Sequence, residues 1–273
     1  MHFITISQML GTDGEKIARK AAGVLKYAFY GEQELFNAAE KLDVLADVKT
    51  LDEKAPSLLE RLFSEMPKVR LDRLQSVIYD VAKKGDAVFF GRGSQLLLKS
   101  FGCAFHVLVV GSHERRIERV MKEMSLGRED AEKMISGSDK EKREFIQFAF
   151  GEDWLNFRLY DLILNTDKLS YDSAAKAIVD SAKSEEIQDC GMDSANTLGK
   201  LSLQRRIESA FLEAGVPSSH LFFVVEDTEN VRLYGFASSK EEKGRVETVV
   251  KSVKGVREIQ NEINISAQGF GGF

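Results

Sequence analysis

The chain has 273 residues, of which 43% are hydrophobic and 30% charged, and its net charge is −5. This length suits about two domains, and the composition is that of a globular protein with a well-filled core. The acidic balance argues against general nucleic-acid binding, which requires a basic surface. No apolar run approaches the ~20 residues that span a bilayer, so we expect no transmembrane segment.

Cysteine and histidine are scarce, with two and four residues respectively, and show no spacing typical of a metal site. Cys103 lies next to an apolar run and Cys190 in a polar stretch, which does not suggest a disulfide framework. His106 opens an apolar run without an acid–base partner, so we interpret it as a core or strand-end residue. The N-terminal MHFITISQML lacks the basic region and cleavage site of a signal peptide, and we therefore expect a cytoplasmic protein.

Apolar strands alternate with helices over the first two thirds of the chain. The predicted strands are HFITIS, AVFFG, FHVLVVG and YDLILNT. The predicted helices are GEKIARKAAGVLK, VRLDRLQSVIYDVAKKGD, SHERRIERVMKEM, SLGREDAEKMI, SDKEKREFIQFAF and SYDSAAKAIVDSA. This alternation predicts an α/β fold with a parallel sheet covered by helices on both faces. Ligands of such sheets bind beyond the carboxyl ends of the strands, which directs attention to the loops there.

The polar stretch AKSEEIQDCGMDSANT indicates a linker, and the order of predicted elements changes after it. Beyond it, the order helix, two strands, helix and strand predicts a compact α+β domain. We place the first domain at 1–182, the linker at 183–197 and the second domain at 198–266. The tail, 267–273, is interpreted as disordered.

The loop after the first strand, within ITISQMLGTDGEKIARK, has the layout of a phosphate-binding loop. Gly11 and Gly14 permit close approach of a phosphate to the free amides of a helix N-terminus, and Lys16 adds positive charge. Asp13 and Glu15 place negative charge at the same end of the helix and so oppose phosphate binding. Acidic residues are also common at helix N-termini, where they stabilise the helix dipole. Since the pattern G-x-x-x-x-G-K-[ST] occurs nowhere in the chain, spacing alone leaves a structural turn as open as a phosphate site.

Two further segments carry candidate phosphate ligands. Arg92 stands between two glycines in FFGRGSQLLL, directly after a buried strand, and is suited to fork onto a phosphate or a base edge. The helices near the middle of the chain are rich in cations. These are Arg115, Arg116, Arg119, Arg128, Lys140, Lys142 and Arg143. They form either solvated faces with ion pairs or a mobile lid over transferring phosphates.

Five segments in this order resemble the cytidylate kinase-like family, relatives of bacterial cytidylate kinase within the P-loop kinases. They are ITIS…LGTDGEKIA, FFGRGSQLLLK, ERRIERVM, SDKEKREFIQFAFGEDW and YDLILNTDKLSYDSAAKAIV. The resemblance covers roughly residues 1 to 182 and implies a three-layer P-loop kinase-like domain. It also implies ATP with Mg²⁺ as phosphoryl donor and a nucleoside monophosphate such as CMP as acceptor.

The resemblance assigns roles to particular residues and shows where the chain departs from the pattern. The loop lysine of a true kinase falls on Gly14, and its hydroxyl residues fall on Glu15 and Lys16. Nucleotide phosphate binding is therefore predicted for Gly11, Thr12, Gly14 and Lys16, with Lys16 also in a catalytic role.

The other two assignments concern the acceptor and the lid. Arg92 matches the arginine that contacts the acceptor in the family's GRD sequence, whereas the aspartate of that sequence falls on Gly93. Lys142 or Arg143 takes the place of a lid arginine, and both are predicted as catalytic residues.

The segment 198–266 resembles a BON domain, as seen in VVEDTENVRLYGFASSKEEKGRVETVVKSVKGVREIQNEINI with Gly235 after its second strand. This resemblance implies a small αββαβ module that binds phospholipid or a partner protein. The residues show no amphipathic helix with a basic face and aromatic anchors, so a protein-contact or regulatory module fits better.

Three functional hypotheses follow. The first is an active kinase that transfers phosphate from ATP to a nucleoside monophosphate. The second is a catalytically degenerate nucleotide sensor that signals through the BON domain. The third is an interaction protein that binds no nucleotide.

Overall fold

The computed structural model describes residues 1–51, 56–57, 60–61, 64–187, 190–217 and 219–266. These residues form two compact units. The first contains Met1–Asn37 and Gly85–Gly191. The second contains Ala38–Leu51 and the described parts of Pro56–Lys84 and Met192–Phe273. The second unit is therefore built from an internal segment of the chain as well as from its C-terminal part.

The strands of the described residues form two sheets. They are β1 Phe3–Gln8, β2 Ala28–Tyr30, β3 Ala87–Phe90, β4 Ala104–Val110, β5 Leu162–Asn165, β6 Leu221–Val225, β7 Asn230–Ala237 and β8 Glu258–Ile265. The α-helices are α1 Gly14–Leu25, α2 Glu32–Lys41, α3 Leu45–Leu51, α4 Met66–Ala82, α5 Ser94–Leu97, α6 His113–Met124, α7 Arg128–Phe150, α8 Tyr171–Ala182, α9 Met192–Glu213 and α10 Lys240–Ser252. A short 3-10 helix covers Phe157–Leu159.

The first unit has a five-stranded sheet in the order β2-β3-β1-β4-β5, with every neighbouring pair parallel. This confirms the predicted α/β fold. The central strand β1 is apolar almost throughout because both faces of a parallel sheet are covered. Its Ile4 and Ile6 pack in one core cluster with Ile17 of α1 and Ile178 of α8. The carboxyl ends of β1 and β3 lie side by side, which brings the loops that follow them together.

His106 belongs to the core, as the sequence predicted. Its side chain is buried in β4, and its Nδ1 lies 2.8 Å from the hydroxyl of Thr5 on β1. Burial lowers the pKa of His106 and so favours the neutral imidazole.

The second unit contains the predicted αββαβ arrangement, formed by α9, β6, β7, α10 and β8. The sheet has the order β6-β7-β8, with β6 antiparallel and β8 parallel to β7. Helix α4 packs along α9, where the buried Ser202 hydroxyl donates a hydrogen bond to Ser76 O at 2.8 Å. Arg205 of α9 also lies 3.2 Å from Asp72 of α4.

Some elements differ from the sequence prediction. SLGREDAEKMI and SDKEKREFIQFAF were predicted as separate helices but form the single helix α7. The short strand β2 and the helices α2, α3 and α5 were not predicted. Helix α9 begins at Met192. The linker 183–197 and the two domain boundaries stay predictions, and the tail 267–273 lies outside the described residues.

Cys103 and Cys190 form a disulfide with Cα atoms 5.2 Å apart, so the expectation of no disulfide was wrong. The N-terminal residues bring the two cysteines together. Phe3 N donates to Cys103 O at 3.0 Å, and Cys190 N donates to Met1 O at 3.2 Å. This pairing joins positions 87 residues apart in sequence, which no local pattern reveals.

Candidate nucleotide and acceptor site

The loop between β1 and α1 presents backbone amides at the carboxyl end of the central strand. Gly11 has φ +82°, and a Cβ there would lie 2.7 Å from Arg116 O, so only glycine fits. Asp13, at the start of α1, is also left-handed, with φ 59°. Among the described residues, the amides of Gly11, Thr12 and Asp13 have no hydrogen-bond acceptor. Such amides at a helix N-terminus suit an anionic oxygen.

Gln8 explains why position 14 is glycine. Its Oε1 accepts a hydrogen bond from Gly14 N at 2.9 Å and so caps the first turn of α1. A Cβ on Gly14 would lie 2.5 Å from that oxygen and 2.6 Å from Gln8 Cβ. The glutamine side chain therefore occupies the space beside position 14, where the family pattern places a lysine.

The acidic residues at the mouth of the loop are paired with cations. Lys16 Nζ donates to Asp13 at 2.7 Å and also contacts Glu123. These two contacts raise the pKa of Lys16 above its usual value. Glu15 pairs with Arg19 at 2.9 Å. The negative charge of the mouth is thus locally compensated, and Lys16 is held in an exposed ion-pair cluster.

Two arginines of α6 support the outer side of the loop. The buried Arg116 donates from Nε to Leu10 O at 2.7 Å and forms a two-point ion pair with Asp139 of α7, at 2.8 and 2.7 Å. Arg119 donates to Gly11 O at 3.4 Å and to Thr166 Oγ1 at 2.8 Å. Both side chains bind loop carbonyls and so help to leave the loop amides facing away from α6.

Thr12 does not offer its hydroxyl to solvent. The residue is fully buried, and its Oγ1 donates to Met9 O at 2.7 Å. Within the described residues, no group of three or more His, Cys, Asp or Glu side chains is arranged to hold a metal ion. The donor set of this loop therefore suits phosphate oxygens rather than a resident cation.

The second loop has three consecutive residues with positive φ. Gly91, Arg92 and Gly93 have φ values of 72°, 60° and 70°. A Cβ on Gly93 would lie 2.4 Å from the Phe150 ring of α7. Position 93 therefore requires glycine for packing, which is a physical reason for the absence of the family's aspartate.

Arg92 is buried although it is charged and left-handed, a conformation that costs roughly 1 kcal/mol for a residue other than glycine. Its Nη2 lies 3.5 Å from Glu32 Oε2, and its guanidinium lies 5.8 Å from the ring centre of Phe36. A buried arginine held in a strained conformation at a strand end is typical of a functional position.

A cavity of about 70 Å³ is lined by the end of β1, the loop after β3 and α7, together with Gln95 and Trp154. Gln8 and Arg92 line it together with Lys142, whose Nζ donates to Gln8 O at 2.9 Å. The Lys142 ammonium also lies 5.9 Å from the ring centre of Trp154. Among the residues that the structure describes, no carboxylate lines this cavity, so the two cations favour an anionic ligand.

The structure brings together only part of the predicted site. Gly11, Thr12 and Gly14 share the first loop, and Arg92 and Lys142 line the cavity. Lys16 and Arg143 do not line this cavity, and Arg143 is exposed on α7.

Sequence reasoning assigned no role to three cavity residues. Gln8 was quoted only as part of the segment ITISQMLGTDGEKIARK. Gln95 and Trp154 lie within two of the quoted motifs, FFGRGSQLLLK and SDKEKREFIQFAFGEDW. Their position in these motifs was the feature of the sequence that could have indicated a role.

The comparisons with known proteins identify the family of this chain. The family model described as "Cytidylate kinase-like family" matches residues 3–168. The chain belongs to the cytidylate kinase-like family. A search of curated proteins found no match.

Three solved structures are similar to this chain, and the first of them has the same fold. An uncharacterized protein from Eubacterium ventriosum is 19% identical, with a TM-score of 0.54 over 68% of this chain and 100% of that one. Shikimate kinase from Bacteroides thetaiotaomicron is 11% identical, with a TM-score of 0.42 over 67% and 99% of the two chains. Deoxyadenosine kinase from M. mycoides with bound dATP is 15% identical, with a TM-score of 0.35 over 67% and 100%.

Residues 201–267 match the BON-domain model, which confirms the second resemblance. The outer face of its sheet carries exposed aromatic residues. Phe222 and Tyr234 stack with ring centres 5.5 Å apart, and Phe236 is exposed on the same strand as Tyr234. Glu262, which pairs with Tyr234 across the sheet, is also exposed. In the described part of the chain, no helix is long and apolar enough to cross a membrane.

Proposed function

We propose that the first unit binds ATP at the loop between β1 and α1 and transfers its terminal phosphoryl group to a nucleoside monophosphate such as CMP. The observation that carries this proposal is the cavity at the carboxyl ends of β1 and β3, where Gln8 at the end of β1, Arg92 of the second loop and Lys142 of α7 meet. Phosphoryl transfer depends on positioning and on positive charge around the transferring group, and this arrangement supplies both.

Each element has a distinct part in the proposed reaction. The amides of Gly11, Thr12 and Asp13 bind phosphate oxygens of the donor. Lys142 neutralises charge that develops between donor and acceptor, and Arg92 clamps the acceptor phosphate through its planar fork. Arg143, on the same helix, is the alternative lid residue.

Lys16 contributes to this site only if it leaves Asp13 and Glu123. Its ammonium is engaged by both carboxylates, so a catalytic role requires these contacts to break on nucleotide binding.

Mg²⁺ is expected to arrive with the triphosphate. Mg²⁺ keeps several of its waters and is commonly bound through substrate phosphates, which makes a dedicated protein cage unnecessary. Thr12 donates its hydroxyl proton inside the loop and is buried, so the metal would be held mainly by the nucleotide.

The decisive experiment pairs a binding titration with a turnover assay on the full chain. Isothermal titration with ATP and CMP measures binding, and a coupled ADP-release assay over several nucleoside monophosphates measures transfer. Binding of both nucleotides with ADP release dependent on the acceptor is the expected result. Absence of ATP binding by folded protein would overturn the proposal.

A nucleotide sensor is the second candidate, favoured by the contact between Gln8 and Gly14. This contact occupies the first amide of α1 and excludes a lysine at position 14. A sensor would bind ATP in the same titration but release no ADP with any acceptor.

We infer that the BON module serves as a contact surface, through the face formed by Phe222, Tyr234 and Phe236. The exposed Glu262 beside these rings favours a protein partner over an anionic phospholipid surface. Cosedimentation with phosphatidylglycerol vesicles tests the phospholipid alternative, and no binding is expected.

The protein is proposed to be cytoplasmic. Disulfides are rare in a reducing cytosol, so the pair Cys103–Cys190 is expected to be reduced there. Thiol trapping in intact cells checks this expectation.

A further inference from the structure

Two of the residues that line the cavity, Gln95 and Trp154, are buried and polar. Gln95 is 3% exposed and Trp154 is 2% exposed. Within the described part of the chain, neither Gln95 Oε1 nor Trp154 Nε1 has a hydrogen-bond partner. Both residues line the cavity with Arg92 and Lys142. Buried polar groups are nearly always paired, so two such atoms in one cavity indicate a ligand that pairs with them.

The hydrogen bonds of Tyr160 fix which amide atom of Gln95 faces the cavity. The Tyr160 hydroxyl donates its only proton to Trp154 O at 2.7 Å. It must therefore accept a proton from Gln95 Nε2, which lies 3.4 Å away. The free atom of Gln95 is consequently the oxygen, an acceptor, whereas the free atom of Trp154 is an N–H, a donor.

We propose that Gln95 and Trp154 select the acceptor by pairing with a group that both donates and accepts hydrogen bonds, at the end away from its phosphate. This inference rests on the proposed function, because it takes the cavity as the acceptor site. Gln95 Oε1 receives a proton from the ligand, and Trp154 Nε1–H donates one to it.

Size and charge define the substrate class further. A cavity of about 70 Å³ has room for only a few water molecules, so the end beside Gln95 and Trp154 suits a single ring rather than a fused two-ring base. Arg92 and Lys142 supply positive charge for a phosphate on the same molecule. The substrate class is therefore a small monophosphate with a single polar ring.

Trp154 provides a direct readout, because it is the single tryptophan of the chain. The full-length protein is titrated with CMP, UMP and AMP while tryptophan fluorescence is recorded. A fourth ligand is 2-pyrimidinone riboside 5′-monophosphate, which lacks the 4-amino group of CMP. No ATP is needed, so the result is independent of donor binding and of turnover. Failure of the proposed function would appear separately, as absent ATP binding or ADP release.

The variant Gln95→Met keeps an unbranched chain of similar length but removes the acceptor oxygen. We expect it to weaken CMP or UMP binding about tenfold or more, because a buried group is left unpaired. Gln147→Met, at an exposed position of α7, is the matched control and should bind as the wild type does. Trp154→Phe, followed by calorimetry, is the second variant should Gln95→Met fail to fold.

The analogue separates recognition from a structural role. If Gln95 reads the 4-amino group, the analogue binds wild type and Gln95→Met within about twofold of each other. An equal loss for CMP and analogue would mean that Gln95 only shapes the cavity, and this overturns the proposal. Unchanged tryptophan fluorescence with all four ligands, or preference for AMP, overturns it as well.

Discussion

Gln8 and Gly14 act as a pair, and this changes the meaning of the missing loop lysine. The first residue fills the space that a side chain at position 14 would need, and it caps α1 with the same atom. The departure from the family pattern is therefore not a single lost residue. Restoring a lysine requires a change at both positions.

Gly14→Lys alone is expected to lower the free energy of unfolding by about 1–3 kcal/mol, since its Cβ collides with Gln8. It should not tighten ATP binding. Gln8→Gly combined with Gly14→Lys removes the collision, so it should recover stability and tighten ATP binding. Chemical unfolding and ATP calorimetry on both variants check this. A stable single variant with tighter ATP binding would contradict it.

Arg92 combines backbone strain with a role in acceptor binding, and substitution separates the two. Arg92→Gly removes the left-handed strain and keeps the loop, so we expect little change in the unfolding midpoint. CMP binding should weaken about tenfold or more because the guanidinium fork is lost. Arg92→Lys keeps the charge but not the planar fork, so its affinity for CMP should lie between those of the wild type and Arg92→Gly.

The measurement for Arg92 is parallel calorimetry with CMP and ATP. ATP binding should persist in both variants, since Arg92 follows β3 and the ATP loop follows β1. Arg158→Ala, at an exposed position of the 3-10 helix, serves as the control. Equal weakening of ATP and CMP binding would show that Arg92 supports the fold of both loops instead.

At the residue scale, the sequence indicated the candidate site positions that lie in or next to glycine-containing turns. Gly11 and Arg92 were singled out because glycines flank or form their turns. Gln95 and Trp154 were not assigned, because they are 59 positions apart and meet only after α7 folds across the strand ends. The direction of a side chain such as that of Gln8 also depends on tertiary packing.

At the scale of elements, long apolar or periodic segments were predictable and short or exposed ones were not. Strand β2 has three residues, all partly or fully exposed, and therefore no strong alternating pattern. The two helices predicted there are separated by Ser136 and Gly137, yet Gly137 lies inside α7 with no atom within 4 Å of a Cβ added there. Helical packing on both sides outweighs the weak propensity of that segment.

The contact between α4 and α9 predicts a pH dependence centred on Asp72. Burial raises the pKa of Asp72 to about 6, against the opposing effect of Arg205, and Glu208 adds to the increase. The folded state therefore holds this proton more tightly than the unfolded chain. Its stabilising contribution is complete below pH ~4 and is lost as pH rises through ~6.

Asp72→Asn removes this ionisation while it keeps a side chain of similar shape. We expect the variant to exceed the wild type in free energy of unfolding by about 1–3 kcal/mol at pH 8. At pH 4 the two proteins should be nearly equal, because Asp72 is then protonated. Urea unfolding at both pH values checks this, and a variant less stable at pH 8 would show that the ion pair with Arg205 dominates.

At the scale of the whole molecule, sequence order hides how the second unit is assembled. Its internal helix α4 lies within the segment matched by the kinase-like family model, yet it packs along α9, where the BON-domain match begins. Val77 and Ile78 of α4 are fully buried, as are Leu203 and Ile207 of α9. Helices α4 and α9 therefore share one core, which is that of the second unit.

Removal of residues 192–273 should therefore destabilise the remaining chain rather than yield a stable, monomeric kinase-like domain. The truncation uncovers the face of α4 that packs on α9, and exposed apolar surface of this kind promotes aggregation. We expect a lower unfolding midpoint and aggregates in size-exclusion chromatography.

The matched control is a protease site inserted after Glu186 and cleaved under reducing conditions, which breaks the chain but keeps both helices. The cleaved fragments should elute together, since α4 and α9 still pack. A monomeric truncation with an unchanged midpoint, or fragments that separate, would mean that this helix pair contributes little to the second unit.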